Sequence, residues 1–277
     1  MSLAIDNPTL ARPGHYSPAG VLRSEWTKLR SVRSTTWSLL ATVVATIGVG
    51  VAATATEANR WTHLPLPDRL TFDPTNLSLT GLLLGQLAIG VLGVLVMSGE
   101  YGTGTIRATL AAVPHRGLVL AAKAAVFGAV ALVVGEVASF GAFGVGQAIL
   151  AGGPSPHASL GDPAVLRAVV SGGLFIGLLG LLALGLATII RHTAGAITTF
   201  VGLLLVVPLV LQAFPASIRD VVARYLPANL GNAMTSVHPQ TLGMTPLFSP
   251  WASFGILCGY AVAALAIGGW LMVRRDA

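Results

Sequence analysis

Six stretches of this chain, near 36–56, 78–98, 118–150, 165–190, 194–213 and 251–273, each run for about twenty residues or more with at most two charged positions. The hydrocarbon core of a bilayer is about 30 Å thick, and a helix crosses it in about 20 residues. Lipid offers no hydrogen-bond partner, so a spanning segment must pair its own N–H and C=O groups, which a helix does. Barrel strands alternate polar and apolar positions, and these unbroken runs do not. The expectation is an all-α, polytopic membrane protein whose six transmembrane helices fill residues 36–273. Composition agrees: 54% of the 277 residues are hydrophobic and 9% charged, more apolar than a single soluble core requires.

An even number of spans puts both ends on one side, and the basic residues say which. With the N-terminus inside, the cytoplasmic segments hold Arg12, Arg23, Lys28, Arg30, Arg33, Arg107, Arg116, Lys123, Arg191, Arg274 and Arg275, which is 11 of the 16 basic residues. The outer side holds the other 5, Arg60, Arg69, Arg167, Arg219 and Arg224. That bias follows the positive-inside rule and predicts a multi-pass plasma-membrane protein with cytoplasmic N- and C-termini. The net charge of +6 does not argue for nucleic acid, because the basic residues flank apolar runs instead of clustering on a polar face. The first run starts near Thr36, too far along for a signal-peptide core, and is preceded by Arg23, Lys28, Arg30 and Arg33. Cys258 is the only cysteine, so no intrachain disulfide is expected.

Residues 1–18, with Pro8, Pro13, Gly14 and Pro18, read as a disordered cytoplasmic tail. Residues 19–35 follow as an amphipathic helix. Leu22, Trp26, Leu29 and Val32 recur at helical steps, with Arg23, Lys28 and Arg30 on other faces. Such a helix lies in the headgroup plane, or else extends the first span into the cytoplasm. Residues 274–277 form a short cytoplasmic end. Between Ala168 and Ala213 only Arg191, His192 and Thr193 interrupt the apolar run. A very tight turn there is expected over one long helix, because Arg at mid-bilayer costs at least about 2.5 kcal/mol. Small residues such as Gly81 and Gly85, Gly173 and Gly177, and Gly141, Gly144 and Gly146 suit close helix packing within the chain, with a dimer contact as the other use.

Signs of catalysis are sparse. No Gly-Lys pair exists, so the chain lacks a phosphate-binding P-loop, and it is not expected to be an enzyme or to bind a cofactor. His15, His63, His115, His157, His192 and His238 are scattered, without metal-ligand spacing. The most distinctive stretch joins the second and third spans, from Gly99 to Arg116. Gly102 and Gly104 allow a sharp exit, Thr105 suits a helix cap, and Ile106, Leu110 and Val113 share a face until Pro114. That short cytoplasmic helix suits insertion into a cleft of a soluble partner, or else rests its apolar face on the bilayer. Glu136 lies near the middle of the third span at a cost of about 2.5–3.5 kcal/mol, which its apolar neighbours offset. It either lines a pathway for a cationic substrate, or is protonated or bonded to Ser139, Gln147 or a polar group on another helix. Between Pro215 and Pro227, the apolar face of Ile218, Val221, Val222, Tyr225 and Leu226 opposes Arg219, Asp220 and Arg224, as in a lid at the outer leaflet or a plain loop helix.

The segment Glu100–Leu110 (EYGTGTIRATL) with Pro114, Arg116 and Lys123, the entry Ser24–Leu40 (SEWTKLRSVRSTTWSLL) and the closing VRRDA resemble the permease subunit of type-2 ATP-binding-cassette exporters, in the form frequent in actinobacteria. The resemblance covers most of the chain in span order and loop lengths. It implies a six-helix half-transporter that pairs with a second permease, identical or not. It also implies separate cytoplasmic ATPase subunits, which would carry the ATP and Mg. The loop after the second span would then be a coupling helix, placing Glu100, Tyr101, Thr105, Ile106, Arg107 and Arg116 at the ATPase contact. The implied function is ATP-driven export of an amphipathic drug-, peptide- or lipid-like molecule by alternating access. A stand-alone secondary transporter and a non-transporting membrane immunity protein are the alternatives.

Overall fold

The computed structural model of the protein describes residues 17–238, 241–242 and 245–274. The tail expected over residues 1–18 therefore lies outside it except for Ser17, which caps a helix, and Pro18, which begins it. Among the described residues, six helices are long and apolar enough to cross a membrane: Arg33–His63, Pro74–Thr103, Arg116–Ala151, Pro163–Ile190, Thr193–Leu211 and Pro250–Arg274. Among the described residues the fold is all-α apart from one antiparallel pair of two-residue strands, β1 (Thr241–Leu242) and β2 (Thr245–Pro246).

Helix α1 (Pro18–Ser31) is capped by Ser17, whose Oγ accepts from the Gly20 N–H at 3.1 Å. It stops at Val32, whose extended backbone separates it from α2 (Arg33–Arg60). So the single segment expected over 19–35 is a helix, a break and the start of the first span. Its buried stripe is Val21, Glu25 and Leu29, set against α7 (Arg116–Ala151), while Leu22, Trp26 and Val32 stay exposed. The face expected to act as one unit is divided, because the stripe follows steps of four toward a basic partner on α7.

Short helices α3 (Leu66–Leu70) and α4 (Pro74–Ser78) lead into α5 (Leu82–Thr103), followed by α6 (Thr105–Ala112) and α7. Helix α8 (Pro163–Ile190) is the centre of the bundle. It packs against α5, α7 and α13 (Pro250–Arg274), and Ile176, Leu179 and Leu184 on it are wholly buried. Close backbone approach needs small residues at these crossings. A Cβ on Gly81 would overlap the Thr46 carbonyl of α2, and one on Gly173 would overlap the Glu136 carboxyl of α7. These glycines serve packing within the chain.

The turn at 191 is as tight as the sequence suggests. Helix α8 ends at Ile190 and α9 (Thr193–Val201) begins three residues later. Arg191 takes the left-handed conformation, φ 60°, and His192 caps α9 by accepting from the Gly195 N–H at 3.2 Å. Downstream, a π-helical turn at Gly202–Val206 separates α9 from α10 (Val207–Leu211). Pro208 has no N–H to donate to the Leu204 carbonyl and its ring crowds that oxygen, so the ladder widens there.

The stretch between Pro215 and Pro227, where the sequence suggested a lid, holds one helix, and a second begins at its end. In α11 (Ala216–Ala223), Ile218, Val221 and Val222 are exposed and Asp220 is buried, held by Arg219 at 2.9 Å. The deeply set element is α12 (Pro227–Thr235), whose Leu230 and Met234 are fully buried against α8 and α13. Arg167 of α8 donates to the Met234 and Ser236 carbonyls at 2.9 and 2.6 Å, satisfying the end of α12.

Candidate functional site

The Gly99–Arg116 stretch lies at the end of the bundle that also carries α1. Gly104 adopts φ 73°, its N–H bonding the Tyr101 carbonyl at 3.3 Å, and so ends α5 and starts α6 in one residue. Thr105 does not cap α6. It is the first helical residue, and its hydroxyl lies 3.0 Å from that of Thr103. Ile106 is 2% exposed and Leu110 packs on the same core, so the apolar edge of α6 is covered by its own bundle. The residues of α6 left exposed are Thr105, Arg107, Ala108, Ala111 and Ala112. A face that α6 offers to another molecule is therefore one of small residues with Arg107, not the stripe of Ile106 and Leu110 that periodicity suggested.

Behind α6 sits a cluster of four charged side chains from three helices. Lys123 of α7 donates to Glu25 Oε2 at 2.5 Å and to Glu100 Oε1 at 2.8 Å. Lys28 of α1 donates to Glu25 Oε1 at 2.7 Å, Glu100 Oε1 at 3.0 Å and Thr109 Oγ1 of α6 at 3.0 Å. Two cations meet two anions, so the group is formally neutral. That balance is what allows Lys123 and Glu25 to be 3% and 4% exposed, since an unpaired charge at such depth costs several kcal/mol. Burial pulls the Lys28 ammonium toward a lower pKa, but the Glu25 and Glu100 carboxylates outweigh it and hold Lys28 above its ordinary value. Glu100 Oε2 is buried and has no hydrogen-bond partner. Next to the cluster is a cavity of about 500 Å³ between α1, α2, α5 and α7.

Tyr101 and Arg116 serve a second junction. Arg116 donates to the Met272 carbonyl at 2.6 Å and Arg191 to the Leu271 carbonyl at 3.1 Å, while the Arg191 guanidinium stacks 5.2 Å from the Tyr101 ring centre. The last carbonyls of α13 lack helical partners, and the negative end of its dipole favours cations there. Ser98 and Thr193 add a 3.0 Å bond between α5 and α9. Of the six residues expected at a partner contact, Glu100, Tyr101, Ile106 and Arg116 thus bind the helix ends to one another, and Thr105 and Arg107 point outward.

Glu136 stands apart. Ser139 donates to the Val169 carbonyl at 2.6 Å, and Gln147 is engaged by Pro74, Ser78 and Ala158, so neither expected partner reaches it. Its carboxyl lies over Gly173, with Oε2 buried and unpartnered.

The cluster went unread in the sequence, although two signals were present. Glu25 and Lys28 are spaced i, i+3, and Lys123 is one of only two lysines and falls inside an apolar run. Comparison of the chain with protein-family models and with curated proteins finds no match.

Proposed function

We propose that the protein is the membrane-spanning permease subunit of an ATP-driven exporter of the ATP-binding-cassette type. Its cargo would be amphipathic, drug-, peptide- or lipid-like, moved outward across the plasma membrane by alternating access. The single observation that supports this most is α6. It is a separate short helix at a bundle end, with Thr105 and Arg107 exposed, Ile106 anchored beneath, and Thr109 bonded to a charged group that reaches α1, α5 and α7. A partner pressing on such a helix acts on three others at once.

In this reading α1 and α6 are cytoplasmic, in keeping with the basic bias of that side, and α1 lies at the headgroup level with Trp26 outward. A separate ATPase, holding ATP and Mg, docks on Arg107 and its neighbours. Driving a gate from 1:99 to 99:1 requires about 5.5 kcal/mol of differential binding, and a few charged hydrogen bonds of about 1.5–3 kcal/mol each are adequate in size. Displacement of α6 passes through Lys28 and Glu100 to α1, α5 and α7, and through Tyr101 and Arg191 to α13. A second permease subunit completes the pathway, which Glu136 lines.

Two measurements test this. Purification from the native membrane in mild detergent should bring along a nucleotide-binding protein, and an Arg107→Cys chain carrying Cys258→Ser should crosslink to it. Reaction of a Thr105→Cys label only from outside intact cells would refute the orientation and the exporter with it.

The unpartnered carboxyl of Glu136 favours a second reading, an ion- or proton-coupled transporter working alone. Transport by the purified chain in vesicles under a proton gradient, without ATP and abolished by Glu136→Gln, would select it.

A further inference from the structure

A groove of about 750 Å³ runs between α1 and α7, with Leu22, Arg23 and Trp26 on one bank and side chains from residues 125–134 of α7 on the other. Ala125, Ala129 and Val133 recur every four residues, so they form one row down α7, and all three are exposed. The two alanines leave the hollow, because nothing beyond Cβ fills it. Arg23 and the indole N–H of Trp26 are the polar groups of an otherwise apolar set of lining side chains.

The length of the groove matches one leaflet. It starts two residues beyond Lys123 of the charged cluster and reaches Val134, near the middle of the 36-residue α7. Nine steps of helix rise about 14 Å, close to half of a hydrocarbon core about 30 Å thick. An acyl chain entering beside α1 would therefore be covered from the level of the cluster to the centre of the bilayer.

Charge selects the head. Among the described residues, the side chains of Arg23, Arg30 and Arg33 make no hydrogen bond or ion pair. The carboxylates nearest in the fold, Glu25 on α1 and Glu100 on α5, are both engaged by Lys28 and Lys123. A zwitterionic head would bring its cation to arginines with no free carboxylate beside them. A net-anionic phosphate finds a guanidinium whose planar donors match its oxygens. Trp26, with an apolar ring and one N–H, suits the boundary between head and chain.

We propose that this groove holds one anionic phospholipid of the surrounding bilayer, its phosphate on Arg23 and one acyl chain lying along Trp26, Ala125 and Ala129. The inference goes beyond the exporter reading: it requires a bilayer, and neither transport nor an ATPase.

The test is native mass spectrometry of the full chain, incubated in mild detergent with equimolar phosphatidylglycerol and phosphatidylcholine of the same acyl chains. One phosphatidylglycerol per chain should be retained about fivefold over phosphatidylcholine, the worth of one arginine beside anionic lipid. Arg23→Gln should abolish that preference. Arg33→Gln removes the same charge outside the groove and should keep it. Ala129→Phe and the milder Ala125→Leu fill the groove at exposed positions, and each should lower the retained lipid about fivefold or more while the melting temperature stays near that of the parent. Equal retention of the two lipids, an equal loss of preference in Arg33→Gln, or retention that survives both filled variants would overturn the proposal. So would displacement of the phospholipid by equimolar palmitate, which would assign the groove to a free fatty acid.

Discussion

Lys123 Nζ and Glu25 Oε2 are 2.5 Å apart with both side chains almost wholly buried, so the third apolar run is pinned to a helix that precedes the first. The pair joins segments 98 positions apart and, through Glu100, includes the end of α5. A neutral patch of four charges thus holds together the end of the bundle that carries α6.

Replacing Lys123 by Met leaves two carboxylates facing one lysine. Breaking a buried pair in this way costs about 3–5 kcal/mol, so the apparent melting temperature in detergent should fall sharply. Adding Glu25→Leu should restore most of it, because the uncompensated charge is removed. Additive losses in the double variant would show that the two residues do not act as a pair.

Lys28 sets the alkaline limit of the same cluster. Its pKa is raised in the folded protein, so its contribution is fully present below the ordinary lysine value of about 10.4 and is lost as pH rises through the higher folded value. Being 36% exposed, Lys28 is partly screened and its effect is modest. Melting temperatures measured from pH 9 to 12 should decline less steeply for Lys28→Met than for the parent.

Arg191 pays for its left-handed backbone with contacts to Leu271 and Tyr101. Arg191→Gly loses the contacts and relieves the strain, whereas Arg191→Ala loses the contacts and keeps it. The alanine variant should therefore be the less stable by about 1 kcal/mol. Chemical denaturation of the two side by side would read the difference, and equal stability would place the left-handed strain elsewhere.

Gly173 gives the Glu136 carboxyl its room. Gly173→Ala should destabilise the α7–α8 crossing by about 1–3 kcal/mol, and Glu136→Ala in the same chain should suppress the loss. Thermal unfolding of the single and double variants checks this, and a lack of suppression would mean that the crossing is limited by backbone contact.

Arg107 is exposed on α6, so Arg107→Glu should leave stability within about 0.5 kcal/mol. Under the exporter reading it should also abolish recovery of the nucleotide-binding partner. Substrate-stimulated ATPase activity at the parental level in that variant would count against the docking role.

Six apolar runs, the break at Arg191, the bend at Gly104 and the short helix before Pro114 were all legible in the sequence. Each depends on local chemistry: the length needed to cross hydrocarbon, the absent side chain of glycine, the missing N–H of proline. What tertiary structure alone decided was the direction in which side chains face. Periodicity marks Ile106 and Leu110 as one edge of α6, but only the presence of the bundle beneath turns that edge inward and leaves Arg107 outside. Likewise Arg167 counted in the sequence only as an outer-side charge, and its partners appear only where α12 brings its last carbonyls within reach. Glu25, Lys28, Glu100 and Lys123 are separate charges along the chain, and they become one neutral group only when three helices converge. Periodicity acts over a few residues, whereas compensation of buried charge acts over distances that folding alone sets.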